Sequence, residues 1–179
     1  RVADFVLLDF YRAIEAELNA SLAGMRSIAF DTQIEDRMPA PCILLEVSEF
    51  EPSQDPDQGT GEVGLTLHVQ ARIVVGRERA ENRTKALQLA TQLAHLLRDQ
   101  TWDLDDVSQA EFVQAGEDYT KPELDAFCVW LVEWTQTVYV GAEEWPWKDE
   151  SGEELLFGID PDTGPGHEGD YFAPEDIPL

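Results

Sequence analysis

From Val63 to Val75 the chain alternates with period two. Val63, Leu65, Leu67, Val69, Ala71, Ile73 and Val75 share one parity, while Gly64, Thr66, His68, Gln70 and Arg72 share the other. Successive strand residues point to opposite faces, so this pattern specifies a strand with one face on a core and a second, wetter face. At Gly76 the period changes. Ala86, Leu89, Ala90, Leu93, Ala94, Leu96 and Leu97 recur at helical spacing, which predicts an amphipathic helix over about Arg79 to Asp99. A half-buried strand feeding such a helix calls for a sheet with helices on one face. The strand, of about 13 residues, spans roughly 43 Å at ~3.3 Å per residue, whereas about 5–6 residues is typical. One small core does not cover that length, so part of the strand is expected to reach a partner.

The other elements fit around this pair. Val6, Phe10, Ala13, Ile14, Leu18 and Leu22 form a helical stripe within Val2 to Leu22, with Gly24 as its stop. Ser27 to Thr32 reads as a short strand, and Pro39 and Pro41 bracket a loop. Cys42 to Phe50 is a strand whose end places Leu45, Val47 and Glu49 opposite in parity to Leu44, Glu46, Ser48 and Phe50. The polar stretch Glu51 to Gly61 joins it to the long strand as the tip of a long β-hairpin. Glu111 to Ala115 is a short strand candidate, and Tyr119 to Leu124 a loop. Asp125 to Val140 is β-branched and aromatic on both parities, which predicts a central strand. The fold class that results is α+β: a mostly antiparallel sheet with a long hairpin and two main helices on one face.

After Gly141 periodicity ends. Ala142 to Leu179 is dense in Asp and Glu, and Lys148 is its one Lys or Arg. Such composition reads as an extended arm. The chain is therefore divided into an α+β domain over 1–141 and an acidic C-terminal arm over 142–179. Trp145, Trp147, Phe157, Tyr171 and Phe172 are spaced along the arm as anchors for a neighbouring surface.

Charge narrows the function classes. Lys and Arg total 12 against 37 Asp and Glu, a formal charge of −25. Phosphates need cations, so electrostatic nucleic-acid binding is disfavoured, as is an anionic membrane surface. A surface that repels DNA, a cationic partner or plain solubility all fit. No apolar run reaches the ~20 residues of a membrane span. Val2 to Phe10, interrupted by Asp4 and Asp9, lacks the core of a signal peptide. Cys42 and Cys128 sit inside strands and are expected as reduced thiols.

Constellations for chemistry are absent from the sequence. His68, His95 and His167 fall on three separate segments, neither cysteine has CxxC spacing, and no phosphate-binding glycine loop or nucleophile elbow occurs. Asp160 to Asp170 offers oxygen ligands at alternate positions. However, Gly164 and Tyr171 stand where a calcium loop of the EF-hand type needs a carboxylate or amide oxygen and a glutamate. No metal, no cofactor and no enzyme activity are expected. Two loci stand out as contacts instead. The hairpin tip carries Gln54, Asp55, Asp57 and Gln58. Arg77, Arg79 and Arg83, with Lys85, gather at the start of the second helix, the dipole end at which cations are unfavourable. They either seat an acidic neighbour or form a solvated face with Glu78 and Glu81 as local partners.

Several segments carry a family resemblance: Arg37-Met38-Pro39-Ala40-Pro41 after the first helix; Cys42-Ile43-Leu44-Leu45-Glu46-Val47 leading into the hairpin; Ala86-Leu87-Gln88-Leu89-Ala90 and Leu93-Ala94-His95-Leu96-Leu97 in the second helix; and Thr135-Gln136-Thr137-Val138-Tyr139-Val140-Gly141 at the close. Over Val2 to Gly141 the chain resembles the tail terminator and related minor tail proteins of long-tailed bacteriophages, including the Mu-like tail-protein family. The resemblance implies a structural virion protein made in the host cytoplasm. Its subunits would form a homo-hexameric ring on the head-proximal end of the tail tube, ending tube growth and meeting the neck or head–tail connector proteins. DNA would pass through without specific binding, and no membrane would be involved. Other readings are another neck or tail completion protein, an acidic DNA-mimic inhibitor, or a general binding domain.

Overall fold

The computed structural model describes residues 5–35, 38–54, 56, 59, 61–141, 165, 166, 169 and 171. The chain divides into two units, Arg1–Trp145 and Pro146–Leu179, and the elements below belong to the first. In order they are α1 (Leu7–Ser21), β1 (Ser27–Phe30), β2 (Cys42–Pro52), β3 (Val63–Gly76), α2 (Glu81–Leu96), β4 (Glu111–Glu117), a 3-10 turn (Pro122–Leu124) and β5 (Phe127–Val140). The fold is α+β, with a five-stranded sheet in the order β1-β2-β3-β5-β4. Only β1–β2 is parallel.

The alternating strand is the middle of this sheet. β3 pairs with β5 over its whole length, from Val63 opposite Val140 to Gly76 opposite Phe127. Its other edge pairs with β2, from Leu65 opposite Pro52 to Val74 opposite Cys42. The length that pointed to a partner is thus paired within the chain. The apolar parity of β3 meets that of β5 row by row: Ile73 with Trp130, Ala71 with Val132, Val69 with Trp134. The helices cover this face. Phe10, Ile14 and Leu18 of α1 and Ala86, Leu89, Ala90 and Leu93 of α2 are buried against it. Tyr11 of α1 stacks on Phe30 of β1 with ring centroids 3.9 Å apart. Gly24 turns the chain out of α1 at φ +86°, a conformation that needs glycine.

The second face departs from the simple alternation. Cys42, Leu44, Val74, Leu124 and Val129 form a smaller core there, with Ile34, Met38 and Phe127 packed on it. The loop between β1 and β2 and the 3-10 turn supply the cover. A strand face assigned to water is therefore closed at one end, and Arg72 is only 5% exposed.

Two bulges correct the parity. In β2 the register shifts between Val47 and Glu49, and in β4 between Phe112 and Gln114. Val47 lies opposite Val69, Val69 opposite Trp134, and Trp134 opposite Phe112, so both extra residues fall on one row across the sheet. Beyond the β2 bulge Glu49 faces His68 and Phe50 faces Leu67. Counting by twos had put Glu49 with Leu45 and Val47; the extra residue sends it to the polar face and Phe50 to the apolar one.

Both cysteines are free thiols. Burial pushes the Cys42 thiol up to about 11. Because the thiolate is the reactive form, Cys42 is expected to resist iodoacetamide in the folded protein at mildly alkaline pH and to react only after denaturation. Peptide mass mapping checks this, and labelling of Cys42 as fast in the folded as in the denatured protein would contradict it.

Candidate functional site

The second face of the sheet carries the most organised polar chemistry. Arg72 reaches from β3 in three directions. Its Nε donates to Asp118 at 2.7 Å, Nη1 to Glu46 on β2 at 2.6 Å, and Nη2 to Gln70 at 2.9 Å. The Asp118 side chain is 2% exposed. Burial alone would push its carboxyl up; the hydroxyl and amide of Thr120 and the Arg72 guanidinium outweigh that and hold it below the usual range. One step along, Glu133 accepts from Gln70 at 2.7 Å and from Gln114 at 2.5 Å. Farther on, His68 lies 3.3 Å from Glu51 and 3.8 Å from Glu49. Among the described residues no helix packs on this part of the face; α1 and α2 bury their apolar residues in the core of the other. Its carboxylates and the threonines Thr66, Thr135 and Thr137 are open to solvent or partly so.

The basic cluster lies where β3 hands over to α2. Arg77 Nε donates to the Phe127 carbonyl at 2.8 Å, across the end of the β3–β5 ladder. Arg79 pairs with Glu81 at 3.5 Å, a local partner expected of a solvated helix face. Arg83 reaches farther, to Glu117 at the end of β4, at 2.6 Å. Tyr119 donates its hydroxyl to the same Glu117. That bond first, and Arg83 next, hold the Glu117 carboxyl below its usual range, and the Tyr119 phenol is pushed up in turn. Arg77, Arg83, Glu117, Tyr119, Leu124 and Asp125 line a cleft of about 210 Å³. Acids and cations are mixed within it, so it carries no single sign of charge.

Of the hairpin-tip residues, Gln54 is exposed, while Asp55, Asp57 and Gln58 lie outside the described residues. So do Trp145, Trp147, Phe157 and Phe172 of the arm; Tyr171 is partly buried. Most of the Asp160 to Asp170 stretch is likewise outside them. Among the described residues no three His, Cys, Asp or Glu side chains come together as a metal site. No described helix is long and apolar enough to cross a membrane.

Sequence reasoning missed the sheet edges. β1 is four residues long, and its outward amide at Phe30 is taken by Glu15 of α1 at 2.8 Å. β4 ends the other side with nothing paired beyond it among the described residues. Phe112 and Val113 are 49% and 55% exposed near its start. The only signal for this was the shortness of its apolar run, since exposed residues leave no alternation to read. Compared with models of protein families and with curated protein sequences, the chain matches none of either.

Proposed function

We propose that the chain is a ring-forming subunit of a phage tail, the terminator at the head-proximal end of the tail tube. The observation that carries this reading is the division of the sheet into two unlike faces. One packs against both helices; the other, past Arg72, displays Glu49, Glu51 and Glu133 among threonines. On a subunit of formal charge −25, such a face turned to the lumen of a ring would let DNA slide past without holding it. Apolar side chains remain for contacts with neighbours: Val6, Leu7 and Leu8 at the start of α1, and Phe50 and Val63 toward the hairpin end, are all 45% exposed or more. Ring closure is the ordinary way for identical subunits to cover such patches. Tail tube and neck proteins would be the neighbours above and below.

The test is the mass of the purified protein by light scattering over a range of concentration and salt. A hexamer, or a monomer that forms rings only on tail tubes, supports the reading. A monomer at every concentration that ignores tubes sinks it. The acidic face also fits a DNA mimic, which would remain monomeric and bind a DNA-handling enzyme instead.

A further inference from the structure

We propose that the open edge of β4, with the acidic segment leading into it, docks an extended, basic segment of a partner protein as an added strand. The inference stands whether or not the subunit closes into a ring.

The backbone supplies the template. The chain follows β5 well before β4 begins: Asp106 accepts from the Tyr139 amide at 3.0 Å, Val107 bridges Val138, and the Ser108 amide donates to Thr137 at 2.8 Å. The strip continues through Glu111 opposite Thr135 to Glu117 opposite Trp130. Its outer side is a row of amides and carbonyls with no described strand to receive them. Edges are blunted by shortness, by charged side chains, lysine above all, by proline, by bulges or by a covering element. β1 is blunted in that way, by its length and by Glu15. β4 contains neither lysine nor proline, and Glu111 through Ala115 are exposed.

Charge selects the occupant. Every charged residue from Asp99 to Asp118 is acidic. Glu117 and Asp118 are engaged by Arg83 and Arg72, but Asp103, Asp105 and Glu111 are exposed without a cationic partner among the described residues. A second copy would bring the same acids to the same edge, on a molecule already at −25. A strand alternating Lys or Arg with apolar residues meets all three features. Its backbone completes the ladder, a cation on one face meets Glu111, and an apolar side chain on the other covers Phe112.

The probe is a synthetic peptide of about ten residues alternating lysine with valine, titrated against the full chain by calorimetry. Controls are its glutamate counterpart and the lysine peptide N-methylated at alternate residues in either phase. Binding of the lysine peptide alone, abolished by one phase of methylation and weakened about tenfold by Glu111→Lys, is the expected result. Equal binding of both methylated forms means attraction without strand addition and overturns the proposal. Absence of lysine-peptide binding overturns it as well. So does a doubled mass in solution that Val113→Lys returns to the single chain, because the occupant would then be a second copy. The methylation arm requires no variant and is unaffected by any folding defect.

Discussion

Arg72→Met is expected to lower stability to unfolding by about 3–5 kcal/mol near neutral pH, the range for breaking a buried ion pair from one side. The guanidinium is 6% exposed and Asp118 2%, so neither charge has water in reserve. Glu46, 33% exposed, suffers less. The pH dependence identifies the cause. Asp118 in the native protein has its carboxyl held down. A group lowered in the folded state contributes stability above its unfolded pKa, about 3.9, and loses it as pH falls through the folded value. In Arg72→Met the burial and the two Thr120 hydrogen bonds remain while the guanidinium is gone, so the carboxyl lies higher than in the native protein. Protonation then relieves the buried charge, and the deficit against the native protein narrows as pH falls from about 7 to about 4. Urea unfolding at both pH values measures it. A deficit that does not change with pH would show that lost packing, not the orphaned carboxylate, is responsible. Arg72→Met combined with Asp118→Leu should recover part of the loss, since removing both charges leaves none unpaired.

Gln136→Leu is the second large effect, a loss of about 2–5 kcal/mol from three buried polar groups left unpaired. Gln136 is 1% exposed, on the apolar parity of β5 between Trp134 and Val138. Its Oε1 accepts from Trp102 Nε1 at 2.8 Å. Its Nε2 donates to the carbonyls of Gln100 at 3.0 Å and Ser108 at 2.7 Å. One amide thus pins the connection from α2 to β4 against the sheet. The Gln100 carbonyl keeps a second donor, the Ala110 amide, so Trp102 Nε1, the Ser108 carbonyl and Trp134 Nε1, which donates to the same Oε1 at 3.4 Å, bear the loss. Trp102 also sits at φ +61°, costly for a bulky residue and held by the burial of its ring beside Trp134. Hydrogen exchange should quicken between Gln100 and Ser108 before it changes in β3. Thermal stability equal to the native protein, with exchange unaltered, would show that the network is dispensable. Gln136→Glu separates shape from hydrogen bonding: its carboxylate still accepts from Trp102 but cannot donate to either carbonyl while ionised.

Regular pairing was the part of the fold most legible in the sequence. β3 and β5 form 14-residue strands in one unbroken register, so the parity of the helix-covered face holds from end to end. The buried stripe of α2 is readable for the same reason. Legibility fails where the chain breaks its own period or borrows cover from afar. Nothing local marks Ser48 as the place where parity slips. Arg72 reads as solvated because its partners, Glu46 and Asp118, are 26 and 46 residues away. Gln136 looks like a polar interruption until the loop that it holds is folded over it. Among the candidate contacts, the arginines at the start of α2 were found by composition. The carboxylate that receives Arg83 was not, because it arrives from β4.

The two bulges that share a row give the sheet a crease. Each adds local twist to a strand that flanks the β3–β5 pair, whose own register is unbroken. On one side of the crease lies the Arg72 network, with the second core behind it; on the other lie Glu49, Glu51 and the threonines. Bulges increase the local twist of a sheet, so a partner that reaches across both panels is expected to follow that twist.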